Sequence, residues 1–349
     1  LNIDLNPRPV IEFPILAAAW LNDLNPVALR LTDWLQIRWY GLAYVAGFAA
    51  AWLVMRWMAR TGRSVLPEAE LADFVTFTAL FGVMLGGRLG YMVLYDAPRF
   101  FSNPLSFFQL GQGGMASHGG IFGIVVFTWF YARRKNVSWP GLGDLLVVGA
   151  PLGIFFGRLA NFINGELWGH PSTTVPWAVK FPQEALEARA HPALAELCYS
   201  RIVEVLGPAA AENHPNEALT RLLREGDTVL RAALESGLPA RHPSQLYAAL
   251  LEGVLLFAIL FFIRWRWTRL PHGWLTGWFF LLYGIFRIVG EHWRVPDANG
   301  ISWLEPLSPG QQYSLPMLII GAVFLWSALR HGPRFERRQK TVAAREATD

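Results

Sequence analysis

The chain has a single cysteine, Cys198, and few charges, with Asp, Glu, Lys and Arg making up 16% of its 349 residues. One cysteine excludes an intramolecular disulfide and any multi-thiolate metal site. Neither G-x-x-x-x-G-K-[ST] nor H-E-x-x-H occurs, so nucleotide hydrolysis and zinc proteolysis lack their residues. A G-x-S-x-G elbow is missing as well. There is no repeat of fixed period and no pair of inverted halves of matched length, which weakens a secondary-transporter reading. Residues 1 to 36 show no basic stretch followed by an apolar run and a small-residue cleavage site, so the first apolar run is expected to act as the insertion signal.

What is abundant is apolar. Hydrophobic residues make up 53% of the chain and the mean hydropathy is +0.29, too apolar for an ordinary soluble domain. Runs nearly free of charge, each long enough to cross about 30 Å of hydrocarbon as a helix, lie near 37–58, 72–95, 117–133, 141–163, 245–264, 273–291 and 314–330. The expected fold is an all-α polytopic membrane protein with about seven transmembrane helices. Many of the 16 tryptophans stand at the ends of these runs, among them Trp39, Trp139, Trp265, Trp267 and Trp274, as an interfacial belt requires. The net charge of +4 does not point to nucleic acid, because the basic residues cluster beside alternate run ends: Arg56, Arg60 and Arg63; Arg133, Arg134 and Lys135; Arg264, Arg266 and Arg269; and Arg330 to Lys340. The positive-inside rule then places the N-terminus outside and the C-terminus in the cytoplasm.

The expected organisation is an outer or interfacial segment at 1–36, helices 1 to 4 over 37–164 with an outer arm at about 97–116, a polar head over 165–243, helices 5 to 7 over 244–332, and a basic tail over 333–349. Within the head, Asn216 and Glu217 followed by Leu219, Leu222, Leu223, Leu230 and Leu234 give a capped start and a helix-period apolar face.

Ionisable residues inside or at the mouth of spanning helices are costly there, so each is a functional candidate. Gly113-Gly114-Met115-Ala116-Ser117-His118-Gly119-Gly120 brings His118 to the outer start of the third run among small residues; a loop-satisfied histidine is the plain alternative. Arg158, Asn161 and Asn164 recur every three residues in the segment that continues through Gly165, Glu166 and Gly169. The planar fork of Arg158 suits a lipid phosphate, and a helix-locking pair with Glu166 is its structural counterpart. Tyr283, Arg287 and Glu291 stand at i, i+4 and i+8, along one face of the sixth helix. His292 and Asp297 have the H-x4-D spacing of glycerolipid acyltransferases. Arg241-His242-Pro243-Ser244-Gln245-Leu246-Tyr247, Arg38-Trp39-Tyr40-Gly41 and Gly86-Gly87-Arg88-Leu89-Gly90-Tyr91 also bring polar groups to runs. The chain thus offers arginines for anionic headgroups and a proton-moving histidine, but no evident nucleophile of its own.

These segments, in this order, resemble the prolipoprotein diacylglyceryl transferases: the glycine-rich stretch around His118, the run from Gly157 to Gly169 with its N-G-E-x-x-G, Arg241 to Tyr247, and Tyr283 to Asp297 with R-x3-E-x2-R-x-P-D. The resemblance extends from about Tyr40 to Arg330. Ala160 stands where the family usually has glycine, and the head is longer than usual through 200–237. The resemblance implies a seven-helix bacterial inner-membrane enzyme with a periplasmic N-terminus and a small periplasmic head. It transfers the diacylglyceryl group of phosphatidylglycerol to the lipobox cysteine of a prolipoprotein signal peptide and releases glycerol 1-phosphate. No metal, nucleotide or other cofactor is expected. His118, Arg158 and Arg287 are the expected catalytic residues. Arg158, Asn161, Asn164, Glu166, Gly169, Tyr40, Tyr283, Glu291 and Arg294 are the expected substrate-binding residues. A lipid or small-anion transporter using the same arginines, and an acyltransferase using His292 and Asp297, are the alternatives.

Overall fold

A computed structural model describes residues 19–32, 36–108, 114–296, 304 and 306–331. Gly113, Asp297 and the basic tail over 333–349 lie outside the described residues, as do parts of the N-terminal segment and of the outer arm. The described chain is mostly helical. Strands β1 (Trp20–Leu21), β2 (Val27–Arg30) and β3 (Gln36–Arg38) precede helix α1 (Trp39–Arg60). β2 and β3 pair antiparallel.

Helix α2 (Glu68–Leu94) carries Glu68 and Glu70 in its first turn, where acid side chains complement the helix dipole. Midway it widens into a π-helical stretch at Thr78–Leu85. The short α3 (Ala97–Ser102) and a 3-10 turn at Pro104–Phe108 follow. α4 (Ser117–Lys135) ends on Arg133, Arg134 and Lys135, and Asn136 closes it in the left-handed conformation. α5 (Trp139–Asn164) contains Pro151.

Strand β4 (Val179–Lys180) pairs parallel with β1. Four helices come next: α6 (Pro192–Leu206), α7 (Pro208–Asn213), α8 (Pro215–Glu225) and α9 (Thr228–Gly237). α10 (Ser244–Arg266) has a second π-helical stretch at Ala249–Leu255. α11 (Trp274–Gly290) and α12 (Pro309–His331) complete the described chain.

Five of these helices, α1, α2, α5, α10 and α12, are long and apolar enough to cross a membrane. α11 is apolar but shorter, at 17 residues. The chain is a polytopic membrane protein by these helices.

The Cα positions group into two compact units. The first takes the residues up to Leu42, Arg158–Tyr247 and Gly290–Pro296. Its core is Leu21, Cys198, Ile202, Leu219, Leu222, Leu223, Leu230 and Leu234. The apolar face read over 216–234 is therefore buried, but on two helices rather than one: Gly226 breaks the chain at φ +94° and Asp227 starts α9 by accepting from the Leu230 N–H. Asn216 is not the cap of α8, which begins at Pro215 with His214 before it, and Glu217 instead pairs with Arg30 and Arg38.

The second unit takes Ala43–Gly157, Ala248–Val289 and the described residues after 297. Its core combines Met55, Met58, Leu71, Phe74, Leu142, Leu145, Val148, Leu256, Leu260 and Leu275. α2 and α4 touch backbone to backbone: a Cβ on Gly119 would lie 2.7 Å from the Cα of Gly90, so larger residues would force the helices apart. Asp144 of α5 accepts from the N–H groups of Gly273 and Thr276 at 2.7 and 2.8 Å, and so caps the start of α11 from a neighbouring helix.

Candidate functional site

The first unit contains a polar network built on the last turns of α5. Arg158, Asn161 and Asn164 are all helical, and the helix stops after Asn164 because Gly165 turns left-handed at φ +66°. The Gly165 N–H then bonds the Phe162 carbonyl at 3.1 Å and the Glu166 N–H the Asn161 carbonyl at 3.0 Å, which satisfies two of the carbonyls at the helix end. This hook turns the Glu166 side chain back toward the helix. Its carboxylate accepts from Asn161 at 3.1 Å and from Asn164 at 3.2 Å, and Asn161 also donates to the Tyr40 hydroxyl in the first turn of α1. Arg158 stands half-buried, one turn before Asn161.

The loop beyond the hook is held in an unusual shape. Leu167 has φ +59°, a left-handed conformation that costs a non-glycine residue of the order of 1 kcal/mol or more. Two neighbouring side chains at the start of α10 hold it there: Gln245 donates to the Glu166 carbonyl at 2.5 Å and Ser244 to the Leu167 carbonyl at 2.7 Å. Next, Gly169 passes so close to other backbone that a Cβ would come within 2.6 Å of the His242 carbonyl oxygen. Its N–H donates to that carbonyl at 3.0 Å, and it forms a β-bridge with Arg294.

Beneath the loop lies a buried ion pair. Arg241 donates from Nε and Nη2 to the two carboxylate oxygens of Glu184 at 2.5 and 2.6 Å, and from Nη1 to the Gly169 carbonyl at 3.0 Å. Glu184 is 1% exposed and also meets His191 at 2.8 Å. His242, next in sequence, packs its Nδ1 3.1 Å from the Tyr247 hydroxyl. Burial first, and the nearby His170 second, hold the His242 imidazole below its ordinary range.

Glu291 does not extend the face of α11. That helix ends at Gly290, and Glu291 lies in the following turn, buried, with Arg294 close after it at the bridge to Gly169. The i, i+4, i+8 reading holds for Tyr283 and Arg287 and fails at its third member, because the chain leaves helical geometry at the glycine.

In the second unit, Arg287 places Nη1 3.7 Å from Glu252, which is 0% exposed in the π-helical stretch of α10. Tyr283, one turn earlier on α11, stacks on Phe279 at 5.7 Å. His118 is exposed in the first turn of α4, its ring 5.9 Å from that of Tyr313. In the first unit, His292 contacts the Trp293 ring edge-on at 5.6 Å, and its H-x4-D partner Asp297 lies outside the described residues.

The structure thus joins Tyr40, Asn161, Asn164 and Glu166 in one network, sets Gly169 against Arg294, and pairs Arg287 with a glutamate that the sequence analysis did not single out. A signal for Glu252 existed, since it is an acid in the middle of the 245–264 apolar run, where an ionisable group needs a partner. Glu184 had no such signal, because it sits in a polar segment 57 residues from Arg241.

A family model described as prolipoprotein diacylglyceryl transferase matches residues 26–327. Proteins named phosphatidylglycerol–prolipoprotein diacylglyceryl transferase are similar over nearly the whole chain. That of Bdellovibrio bacteriovorus is 38% identical, covering 87% of this chain and 93% of its own. That of Coxiella burnetii is 39% identical, covering 89% and 98%. That of Rhodospirillum rubrum is 38% identical, covering 89% and 94%.

Proposed function

The chain belongs to the prolipoprotein diacylglyceryl transferase family, and we propose that it transfers the diacylglyceryl group of phosphatidylglycerol to the lipobox cysteine thiol of prolipoproteins, the first step of lipoprotein maturation. A carbon–sulfur bond forms, the bond between the glyceryl carbon and the phosphate oxygen breaks, and glycerol 1-phosphate leaves with the electron pair. The displacement requires a thiolate and stabilisation of the charge growing on the phosphate. His118 takes the thiol proton, a role that commonly adds about 10² to 10⁴ in rate. Arg158 and Arg287 bear on the phosphate, each as a charge-assisted donor. Asn161, Asn164 and Glu166 bind the glycerol hydroxyls, with Tyr40, Tyr283, Gly169, Glu291 and Arg294 shaping the binding surface.

The observation that carries this reading is the Tyr40–Asn161–Glu166–Asn164 network. Its carboxylate, amides and hydroxyl are suited to the hydroxyls of a polar headgroup, and Arg158 follows the same helix one turn back. The proposed setting is the bacterial inner membrane, crossed seven times by α1, α2, α4, α5, α10, α11 and α12. The N-terminus and the head over 165–243 are periplasmic, the arm at about 97–116 is on the same side, and the tail over 333–349 is cytoplasmic. The basic residues at alternate helix ends support that orientation.

The test is incubation of the purified protein in detergent with phosphatidylglycerol and a synthetic lipobox peptide. The expected result is a peptide mass gain of one diacylglyceryl group together with released glycerol phosphate, both lost in Arg158→Ala and Arg287→Ala. Lipid binding without covalent product from folded protein would favour transport, and failure of Arg158→Ala to accumulate in membranes would make that arginine a structural lock.

A further inference from the structure

We propose that Arg88 is a positioning residue for the transfer reaction: it clamps the turn that delivers His118, and so sets where that imidazole stands. The inference rests on His118 acting as the base.

Arg88 lies on α2 and is 4% exposed, so its guanidinium is held inside the second unit. Each of its three guanidinium nitrogens donates to a backbone carbonyl. Nε reaches the Phe107 carbonyl at 3.0 Å, Nη2 the Ser106 carbonyl at 2.8 Å and Nη1 the Gly114 carbonyl at 3.1 Å. These acceptors stand on either side of residues 109–113, so one side chain ties together the end of the 3-10 turn at Pro104–Phe108 and the approach to α4.

Other contacts show how tightly the approach is set. Gly114 has φ +84°, and a Cβ on it would come 2.5 Å from the Tyr91 ring and 2.9 Å from Arg88 Nη1. Two residues on, the Ala116 N–H donates to the Gly87 carbonyl at 2.9 Å. Gly119, directly after His118, is pressed against Gly90 in the backbone contact between α2 and α4. His118 is thus held from its C-terminal side by helix packing and from its N-terminal side by the Gly114–Ala116 turn. Packing of small residues and the Ala116–Gly87 bond fix the helix and the end of the turn next to it, while the Gly114 end calls for a restraint of its own. Arg88 supplies that restraint, because its planar fork can satisfy several carbonyls in a fixed geometry where a lysine ammonium is a flexible point donor. A displacement of about 1 Å at a reacting group can cost about 10² in rate.

Arg88→Lys and Arg88→Gln test this, since Arg88→Ala leaves three carbonyls without their donor and could fail to fold. Hydrogen exchange on the full chain in detergent reads the clamp without needing activity. Amides of 114–118 should exchange about tenfold faster in Arg88→Lys, with those deeper in α4 unchanged. Unchanged exchange at 114–118 would overturn the clamp. In the transfer assay, kcat should fall about tenfold to a hundredfold with KM for phosphatidylglycerol held. The loss should largely vanish when Arg88→Lys is made in a His118→Gln background. Additive losses, or a fall carried by KM alone, would overturn the positioning role even where exchange rises. If the native chain forms no product while the exchange result stands, the transferase reading fails and takes the catalytic meaning of the clamp with it.

Discussion

Glu252 and Arg287 make a pair in which neither partner is cheap to remove. The carboxylate is fully buried in an apolar helix and its guanidinium partner is largely buried, so deleting one removes a close opposite charge from the other where water does not replace it. Breaking such a pair costs about 3–5 kcal/mol. Glu252→Ala should therefore lower the unfolding midpoint in detergent markedly and reduce accumulation in membranes. Glu252→Gln, which keeps the shape and a hydrogen-bonding oxygen, should lose less stability but still lower turnover if Arg287 must be held in place. Gly169 is the opposite kind of residue, with no functional group to lose. A methyl there meets the His242 carbonyl at 2.6 Å and its Cβ at 2.8 Å, and forcing extra volume into packed backbone costs about 1–3 kcal/mol. Gly169→Ala should shift the loop and cut turnover in the transfer assay more than it cuts thermal stability. A variant with native kcat would mean that the loop does not bear on the reaction.

At the scale of elements, run length and charge placement made the long helices legible, because each backbone must satisfy its own hydrogen bonds across hydrocarbon. Each of the seven apolar runs is mostly helical in the structure, five of them in helices long and apolar enough to cross a membrane. What remained hidden is backbone geometry that run length does not record: the π-helical stretches in α2 and α10, the end of α11 before Glu291, and the split of one apolar face into α8 and α9. The last has a testable cause. Asp227 accepts from the Leu230 N–H at 2.9 Å and meets Arg201 at 2.8 Å. Burial works against its charge, but those hydrogen bonds and the arginine outweigh it and hold the carboxyl below its usual range. A carboxyl lowered in the folded state stabilises it above the ordinary carboxylate range, and that stability disappears as pH falls through the lowered value. The part of the stability owed to Asp227 should accordingly be lost below about pH 4. Asp227→Ala should cost about 1 kcal/mol for the cap, and Asp227→Asn should keep most of the cap while flattening this pH dependence. Amide exchange in α9, followed between pH 3 and 7 in the full chain, distinguishes the two.

For the molecule as a whole, the basic clusters spaced along the sequence converge in the second unit. Arg56 and Arg60 pair with Glu68, Lys135 with Glu70, and Arg63 donates to the carbonyls of Arg264 and Trp265. Arginines there also lie over tryptophans, Arg133 on Trp129 at 4.8 Å and Arg330 on Trp326 at 4.0 Å, as expected where a charged head reaches headgroups and its stem stays apolar. These contacts gather the ends of α1, α4 and α10 and the start of α2 at one end of that unit, the end that the proposed topology turns toward the cytoplasm. The lone cysteine makes the orientation measurable. Cys198 is in the core of the first unit, and burial pushes its thiol up to about 11, so at pH 7.5 less than about a thousandth is thiolate. The native chain should stay unlabelled by a membrane-impermeant maleimide in spheroplasts. Against that background, Ser236→Cys on the exposed face of α9 should label from outside, and Thr341→Cys in the basic tail only after permeabilisation. The reverse pattern would invert the topology and put the head on the side opposite the secreted cysteine, which the proposed transfer could not then reach.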